Sequence, residues 1–439
     1  MTHPAQGASA TATTHAREQQ PTRSTRGWIV TLAALGINLV LGVLYSWGVM
    51  AKALVVQWHW TKTQAAMPFT VSTVAFALTM VFAGRVQDRI GPRLIARCGG
   101  LMLGLGLIAS AYTQSPLVML ITFGVIGGCG IGLGYSATTP PCIKWFPPAK
   151  KGVITGLVVS GVGLAAVYMS PLTQYLLGPG NDISHAFLVL GIGTIVVVTV
   201  LTQVLANPPA GYQPAPAAGP ATAKTPSQGR NLDWHEMLRT AQFYQLWVMF
   251  ILAAAAGLMI IAHAAIIAKE QAGLGWGFMP IALLALFNTT GRITSGFLSD
   301  RIGRTRTMIL AFVLQAVNMF LFARYTTPAL LLFGAAFTGL CYGTIFTLMP
   351  AATADFYGVR NLGVNYGLVF TAFGVAGVLG PILGARIHDR FGSYLHAFQI
   401  SAGMLVVGAF LAIWTKPPGP RAAPAVPLVS PKPLPQASP

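Results

Sequence analysis

Gly84-Arg-Val-Gln-Asp88-Arg89-Ile90-Gly91-Pro92-Arg93 and Gly296-Phe-Leu-Ser-Asp300-Arg301-Ile302-Gly303-Arg304 are two copies of one pattern, Gly-x-x-x-Asp-Arg-x-Gly, about half a chain apart. Each copy sits between two long apolar runs. Working outward, such runs fall near 27–50, 62–84, 94–112, 116–139, 153–177 and 186–206, and again near 241–268, 277–298, 307–325, 328–350, 364–386 and 395–415. Each is close to the roughly 20 residues needed to cross a hydrocarbon core as a helix. The first copy follows the second run and the second copy follows the eighth. A loop repeated at matching positions of two six-run sets implies duplication, and sites in such folds lie where the repeats meet near mid-membrane.

Composition agrees. Of 439 residues 54% are hydrophobic and 8% charged, against roughly 25% charged in an ordinary soluble domain. The net charge of +18 would suit nucleic acid if it were clustered, but the basic residues stand in short tufts between apolar runs, so no nucleic-acid partner is expected. They read instead as a topology signal. With the N-terminus inside, the outer segments hold only Lys52, Lys62, Lys269, Arg324, Arg386 and Arg390 of the 27 Lys and Arg. Both termini are therefore expected in the cytoplasm. The domain reading is a cytoplasmic N-terminal tail over 1–26, a first six-helix half over 27–206 and a cytoplasmic linker over 207–238. A second half follows over 239–416, then a Pro-rich disordered tail over 417–439. The first 26 residues lack the apolar core and cleavage site of a secretory signal. Cys98, Cys129, Cys142 and Cys341 form no CxxC pair, so neither metal nor cofactor is expected. The Gly-x-Gly-x-x-Ala strings at Gly104 and Gly161 lie inside apolar helices and read as packing residues. No Ser-His-Asp, metal or paired-carboxylate constellation suggests an enzyme.

Arg292 is the residue with most to explain. It lies eight positions before Asp300, about 12 Å along a helix axis, and an unpaired Arg at that depth costs on the order of 2.5–3.5 kcal/mol. A guanidinium offers a planar fork that fits a carboxylate; snorkelling to the surface or bonding a structural carbonyl are the bland alternatives. Asn288, one turn away, shares its face. His263 is the only His well within a span, and it reads either as a hydrogen-bonded packing residue or as a proton relay.

The duplicated loop is similar to the signature loop of the major facilitator superfamily. The resemblance implies an all-α membrane protein of twelve transmembrane helices in two pseudo-symmetric six-helix halves. It also implies that Gly84, Asp88, Arg89, Gly91, Arg93, Gly296, Asp300, Arg301, Gly303 and Arg304 form a conformational latch. More narrowly, Gly42-Val-Leu-Tyr45-Ser46-Trp47, Gly132-Leu-Gly-Tyr135 running to Lys144-Trp145-Phe146-Pro147, and Arg360-Asn361 to Asn365-Tyr366-Gly367 resemble the oxalate:formate antiporter family, whose relatives include bacterial lactate carriers. That likeness implies carboxylate binding by Arg292. By family position it adds Tyr45, Tyr135, Tyr342, Phe346, Phe370 and Phe373 to the substrate cage, although each aromatic taken singly also reads as helix packing. Phe373 stands where oxalate exchangers carry a second cation, a Lys. One positive charge favours a monoanion.

The expectation is thus a proton-coupled secondary transporter of small monocarboxylates in the plasma (inner) membrane, working by alternating access as a monomeric unit. Its expected partners are a small carboxylate, protons and the lipid bilayer. Oxalate:formate antiport and a non-transporting carboxylate sensor are the alternatives.

Overall fold

The computed structural model describes residues 20–180, 182–209, 211–214, 231–274 and 278–418. The tails before residue 20 and beyond 418, and the middle of the linker at 215–230, lie outside the described residues. Among the described residues twelve helices are long and apolar enough to cross a membrane: α1 Thr25–Gln57, α2 Gln64–Ile90, α3 Pro92–Ala111, α4 Pro116–Lys144, α5 Pro148–Leu177, α6 Ile183–Leu201, α7 Ala241–Ala272, α8 Met279–Ile302, α9 Arg304–Phe322, α10 Pro328–Tyr357, α11 Leu362–Phe391 and α12 Leu395–Trp414. No strand occurs among them. In a membrane interior every backbone N–H and C=O must be satisfied within its own segment, which a helix does and an open strand does not.

Polar side chains mark where the helices start. Thr61 caps α2 in a capping box with Gln64, Asp182 accepts from the His185 N–H ahead of α6, and Thr327 accepts from the Leu330 N–H in the first turn of α10; each satisfies an orphan donor of the first turn. The duplicated loop needs its second glycine for backbone reasons. Gly91 has φ +101° and Gly303 φ +95°, a region that side-chain-bearing residues rarely adopt. Both glycines make the tight reversal that sends α2 into α3 and α8 into α9.

The packing repeats with the sequence. In the first half α1 lies on α5, α2 on α4 and α3 on α6; in the second α7 lies on α11, α8 on α10 and α9 on α12. Advancing every number by six turns one set into the other. The halves meet along α2–α11 and α5–α8, a pair of seams that the same operation exchanges. Glycines permit the approach. A β-carbon at Gly84 would stand 2.1 Å from the Gly363 carbonyl oxygen, and one at Gly296 would stand 2.4 Å from that of Gly152. Small residues at helix crossings are the usual means of close packing where the solvent is lipid. The α2–α11 seam then widens with distance from the loops: a β-carbon at Gly367 would lie 2.5 Å from the Met80 oxygen, at Gly374 3.2 Å from Ala77, and at Gly377 3.8 Å from Thr73.

Both ends of the 207–238 linker are held against the bundle. The Trp145 indole N–H donates to the Ala206 carbonyl at 2.9 Å, and the Tyr212 hydroxyl donates back to the Trp145 carbonyl at 3.1 Å. At the other end the Leu232 carbonyl accepts from the Asn361 and Asn365 side-chain amides at 3.2 and 3.1 Å. The short helix Trp234–Leu238 follows, closed by an Asp233/Glu236 capping box. These segments dock because Trp and Asn side chains of the bundle answer their backbone groups, a tertiary effect that a Pro- and Ala-rich composition does not display.

Candidate functional site

Arg292 lies at the centre of the bundle on α8, with 2% of its surface exposed. Its Nε donates to Asn288 Oδ1 at 3.0 Å, the one-turn spacing of a helix face. One terminal nitrogen crosses the inter-half seam to donate to the Val159 carbonyl on α5. The guanidinium carbon stands 4.7 Å from the centre of the Phe346 ring, a cation–π contact. No carboxylate pairs with this cation among the described residues. The second terminal nitrogen makes no protein hydrogen bond there, and its donors are left for a guest.

Around this cation the structure gathers the other residues named from family position. Tyr342 packs on Phe346 at 5.0 Å between ring centres, Phe346 on Phe373 at 5.4 Å, and Phe373 on Phe370 at 5.3 Å. Tyr135, from α4 of the first half, packs on Phe370 at 5.6 Å. Tyr45 stands at a stretch where α1 tightens into 3-10 turns, Gly42–Ser46, and its phenol lies within electrostatic range of Tyr135 and Tyr342. Phe76, Phe250 and Tyr366 complete the cluster without having been singled out in the sequence: Phe76 and Phe250 pack on Phe370 at 5.1 and 5.9 Å, and Tyr366 does so at 5.7 Å. The Tyr135 and Tyr366 hydroxyls are buried and lie near each other, yet neither makes a hydrogen bond of acceptable geometry among the described residues. Buried polar atoms of native proteins are nearly always paired, so phenols without a good hydrogen bond, in a cluster whose guanidinium lacks a carboxylate among the described residues, mark a candidate polar site.

At the loop end of the bundle each repeated aspartate crosses to the opposite half. Asp300 accepts from the Gly152 and Val153 N–H groups at 2.8 Å each, and Asp88 from those of Gly363 and Val364 at 3.3 and 3.1 Å. In both cases a carboxylate sits on the N-terminus of a helix, where exposed donors and the helix dipole favour negative charge. The counter-charges differ. Asp300 pairs with Arg304 at 2.6 Å, Arg304 with Asp355 at 2.9 Å, and Asp355 with Lys151 of the other half at 2.9 Å. Asp88 makes no ion pair among the described residues and has Lys144 as a charged neighbour, while Arg93 turns away to the Gln203 carbonyl. Arg89 is exposed, and Arg301 lies 4.0 Å over the Phe297 ring. This end of the molecule is shut.

A sequence model of the Major Facilitator Superfamily matches residues 27–317 and 281–436. The chain belongs to the Major Facilitator Superfamily. It is 29% identical over 396 residues to the oxalate:formate antiporter of Oxalobacter formigenes, an alignment covering 89% of this chain and 92% of that one. With monocarboxylate transporter 13 of Rattus norvegicus it shares 24% identity, covering 88% of each chain. The solved E. coli fucose:proton symporter superposes with a TM-score of 0.66 at 13% identity, over 88% of this chain and 98% of that one, a likeness of fold. The facilitator is thus a twelve-span membrane protein whose sequence relatives are transporters.

His263 is not brought to the Arg292 cluster. It lies on α7 six residues beyond Gly257, where an added β-carbon would meet the Tyr342 ring, a displacement of about 9 Å along the axis away from the loop end. Its Nε2 bonds the Pro381 carbonyl at 3.0 Å, and its Nδ1 faces the Tyr394 hydroxyl at 3.1 Å. Burial, with Glu270 and Asp389 adding, pushes the Tyr394 phenol up to about 12, so it keeps its proton and donates to Nδ1. The Pro381 carbonyl can only accept, so Nε2–H donates to it. Gly384 makes room for the ring, since a β-carbon there would fall 2.5 Å from His263 Cδ2. Gln can answer both partners, so His263→Gln is expected to retain proton-gradient-driven uptake to within about threefold, each neutral hydrogen bond contributing only ~1 kcal/mol net. Loss of gradient-driven uptake with counterflow intact would instead assign His263 to the proton path.

Proposed function

We propose that this facilitator is a secondary transporter of short monocarboxylates in which Arg292 receives the carboxylate and the two halves rock about it. The observation that supports this reading most is the Arg292 guanidinium itself: 2% exposed, unpaired with any described carboxylate, and flanked by phenols lacking acceptors. A cation in hydrocarbon is retained where it has a task, and a fork of N–H donors over an aromatic wall matches a small planar acid anion. The relatives, an oxalate:formate antiporter and a monocarboxylate transporter, point to the same chemistry.

The excess of Lys and Arg at the Asp88/Asp300 end argues that this end faces the cytoplasm, with both termini there and the plasma membrane as the site of action. The conformer is then closed inward, and its tapering α2–α11 seam leads outward. The substrate cage lies between the halves of one chain, so a monomer suffices. A monoanion moving with one proton leaves the Arg292 charge balance unchanged over a cycle, which favours proton coupling through the substrate itself.

Oxalate exchange is the second reading. It meets the difficulty that Phe373 packs within the aromatic wall and Arg292 is its only cation among the described residues. A dianion on one guanidinium would leave a net negative charge out of water, at a cost of several kcal/mol. Proteoliposomes loaded with unlabelled acid separate the readings: counterflow of labelled lactate or pyruvate is expected to exceed that of oxalate by about 100-fold or more. Oxalate counterflow as fast as lactate would reverse the assignment. Binding without counterflow of either would make the protein a sensor.

A further inference from the structure

The two seams between the halves close by different means. On the α5–α8 side Lys151, one residue ahead of the N–H groups that Asp300 takes, reaches Asp355, which also holds Arg304. On the α2–α11 side the residue in that place, one ahead of Gly363, is the buried and uncharged Leu362. Asp88 makes no ion pair there among the described residues. What this seam has instead is the end of the linker. The Leu232 N–H donates to the Tyr357 carbonyl at 3.0 Å, and the Leu232 carbonyl accepts from Asn361 and Asn365. The Arg360 N–H donates to Asn231 Oδ1 at 3.1 Å, and the Thr240 hydroxyl lies 3.1 Å from that of Tyr357. Gly358 makes room: its φ is +82°, and a β-carbon there would stand 2.4 Å from Asn231 Oδ1. These anchors lie on α10, on α11 or in the turn between them, so the segment 231–240 belongs to the second half. One of its side chains leaves that half. The half-buried Trp234 ring lies under the Arg85 guanidinium of α2, 5.9 Å from its centre, and Arg85 adjoins Gly84, where this seam is tightest.

We propose that the segment 231–240 is a strap: fixed to the second half, it closes across the α2–α11 seam by laying Trp234 on Arg85, and it lets go each time the loop end opens. This rests on the rocking of the halves in the proposed function and not on the cargo. The two attachments differ in kind, as the task requires. The hydrogen bonds to the α10–α11 turn persist through a rigid-body movement of the second half, because both partners of each bond move together. The Trp234–Arg85 contact joins different halves and cannot persist. A cation over an indole face is attracted without fixed directional bonds, and only weakly where the cation is exposed, as Arg85 is. Such a contact biases a two-state equilibrium without trapping it. It acts on the seam that lacks the Lys151–Asp355–Arg304 network, where a small bias is felt most.

The test uses spin labels on the two halves at the loop end of the full-length protein, without substrate, and reads the ratio of closed to open populations. Trp234→Ala and Arg85→Ala are each expected to lower that ratio about two- to fivefold, and Trp234→Phe, which keeps a ring, by less. The double variant Trp234→Ala/Arg85→Ala is expected to lower it no further than either single change, since each removes the same contact. An unchanged ratio in both single variants overturns the strap and leaves Trp234 as packing on the second half. So do single effects that multiply in the double variant, which assign the two residues separate roles. One distance under every condition in the unmodified protein removes the rocking of the halves, and the strap with it. Failure to move monocarboxylates while the labels respond as expected removes the cargo reading and leaves the strap standing.

Discussion

Replacing Arg292 with alanine is expected to abolish counterflow of a labelled short monocarboxylate while the protein remains folded and monodisperse in detergent. The size of the effect follows from what the guanidinium replaces. A carboxylate leaving water for the bundle centre loses its hydration, and among the described residues only Arg292 lies in the cluster to compensate. Truncating one partner of a desolvated, hydrogen-bonded charge pair costs about 2–5 kcal/mol or more, or roughly two to four orders of magnitude in affinity. Arg292→Lys keeps the charge as a point rather than a fork, and it cannot hold Asn288 and Val159 in the present geometry while facing a guest. An intermediate loss, roughly 10- to 100-fold, is expected for it. A purely structural role for Arg292, holding α8 to α5 through the Val159 carbonyl, makes a different forecast. Arg292→Ala would then lower the apparent melting temperature, and short carboxylic acids would still raise it by binding. Ligand-induced stabilisation that survives in the variant would take the carboxylate off this residue.

How much of this site is visible in the chain depends on charge. Arg292 and Asn288 stand out because a cation and an amide at one-turn spacing are rare in an apolar run, and the structure bonds them at 3.0 Å. The duplicated loop stands out because Gly, Asp and Arg recur at fixed spacing, and its register foretells the packing of α1 through α6 onto the pattern of α7 through α12. Aromatics are harder. On α10, Phe333 is 57% exposed on the outer face and Phe346 is 4% exposed in the cluster, yet with lipid outside and protein inside both faces of the helix are apolar and no periodicity separates them. Phe76 and Phe250 carry no mark in the sequence for that reason, and Tyr366 is legible only as part of a family-like stretch, not as a member of the cluster. The latch asymmetry was hidden for another. Asp88 and Asp300 sit in equivalent loops and Arg304 is only four residues from Asp300, but Lys144 beside Asp88, and the Asp355 and Lys151 that extend the Asp300–Arg304 pair, come from segments remote in sequence. Those partners are a property of the closed seam, and only the assembled halves reveal them.

The same seam yields the second large effect: Gly296→Val is expected to stop net transport by preventing closure at the loop end, with substrate binding retained. A β-carbon at Gly296 would lie 2.4 Å from the Gly152 carbonyl oxygen and 3.3 Å from Val153 Cα, about 1 Å inside ordinary contact for the first. The obstacle is backbone of the opposite half, which cannot rotate away as a side chain can. Separating α5 from α8 by that distance lengthens both 2.8 Å bonds from Gly152 and Val153 to Asp300. It leaves a charge-assisted pair, at about 1.5–3 kcal/mol each, unmade. Gly84 makes the same argument on the other seam, where the clash with the Gly363 oxygen is tighter still at 2.1 Å. Gly91 supplies the contrast. A β-carbon there meets nothing within 4 Å, so Gly91→Ala incurs only the strain of its backbone at φ +101° and ψ 165°, roughly 1–3 kcal/mol, and does not hold the halves apart. Distances between spin labels on the two halves at the loop end are expected to lengthen in Gly296→Val and to match the unmodified protein in Gly91→Ala. Alternating access requires both closures in every cycle, so a carrier that cannot shut one end still binds its acid but does not accumulate it. Wild-type uptake by Gly296→Val, with the labels as close as before, would mean that the α5–α8 contact is packing alone and that the latch lies elsewhere.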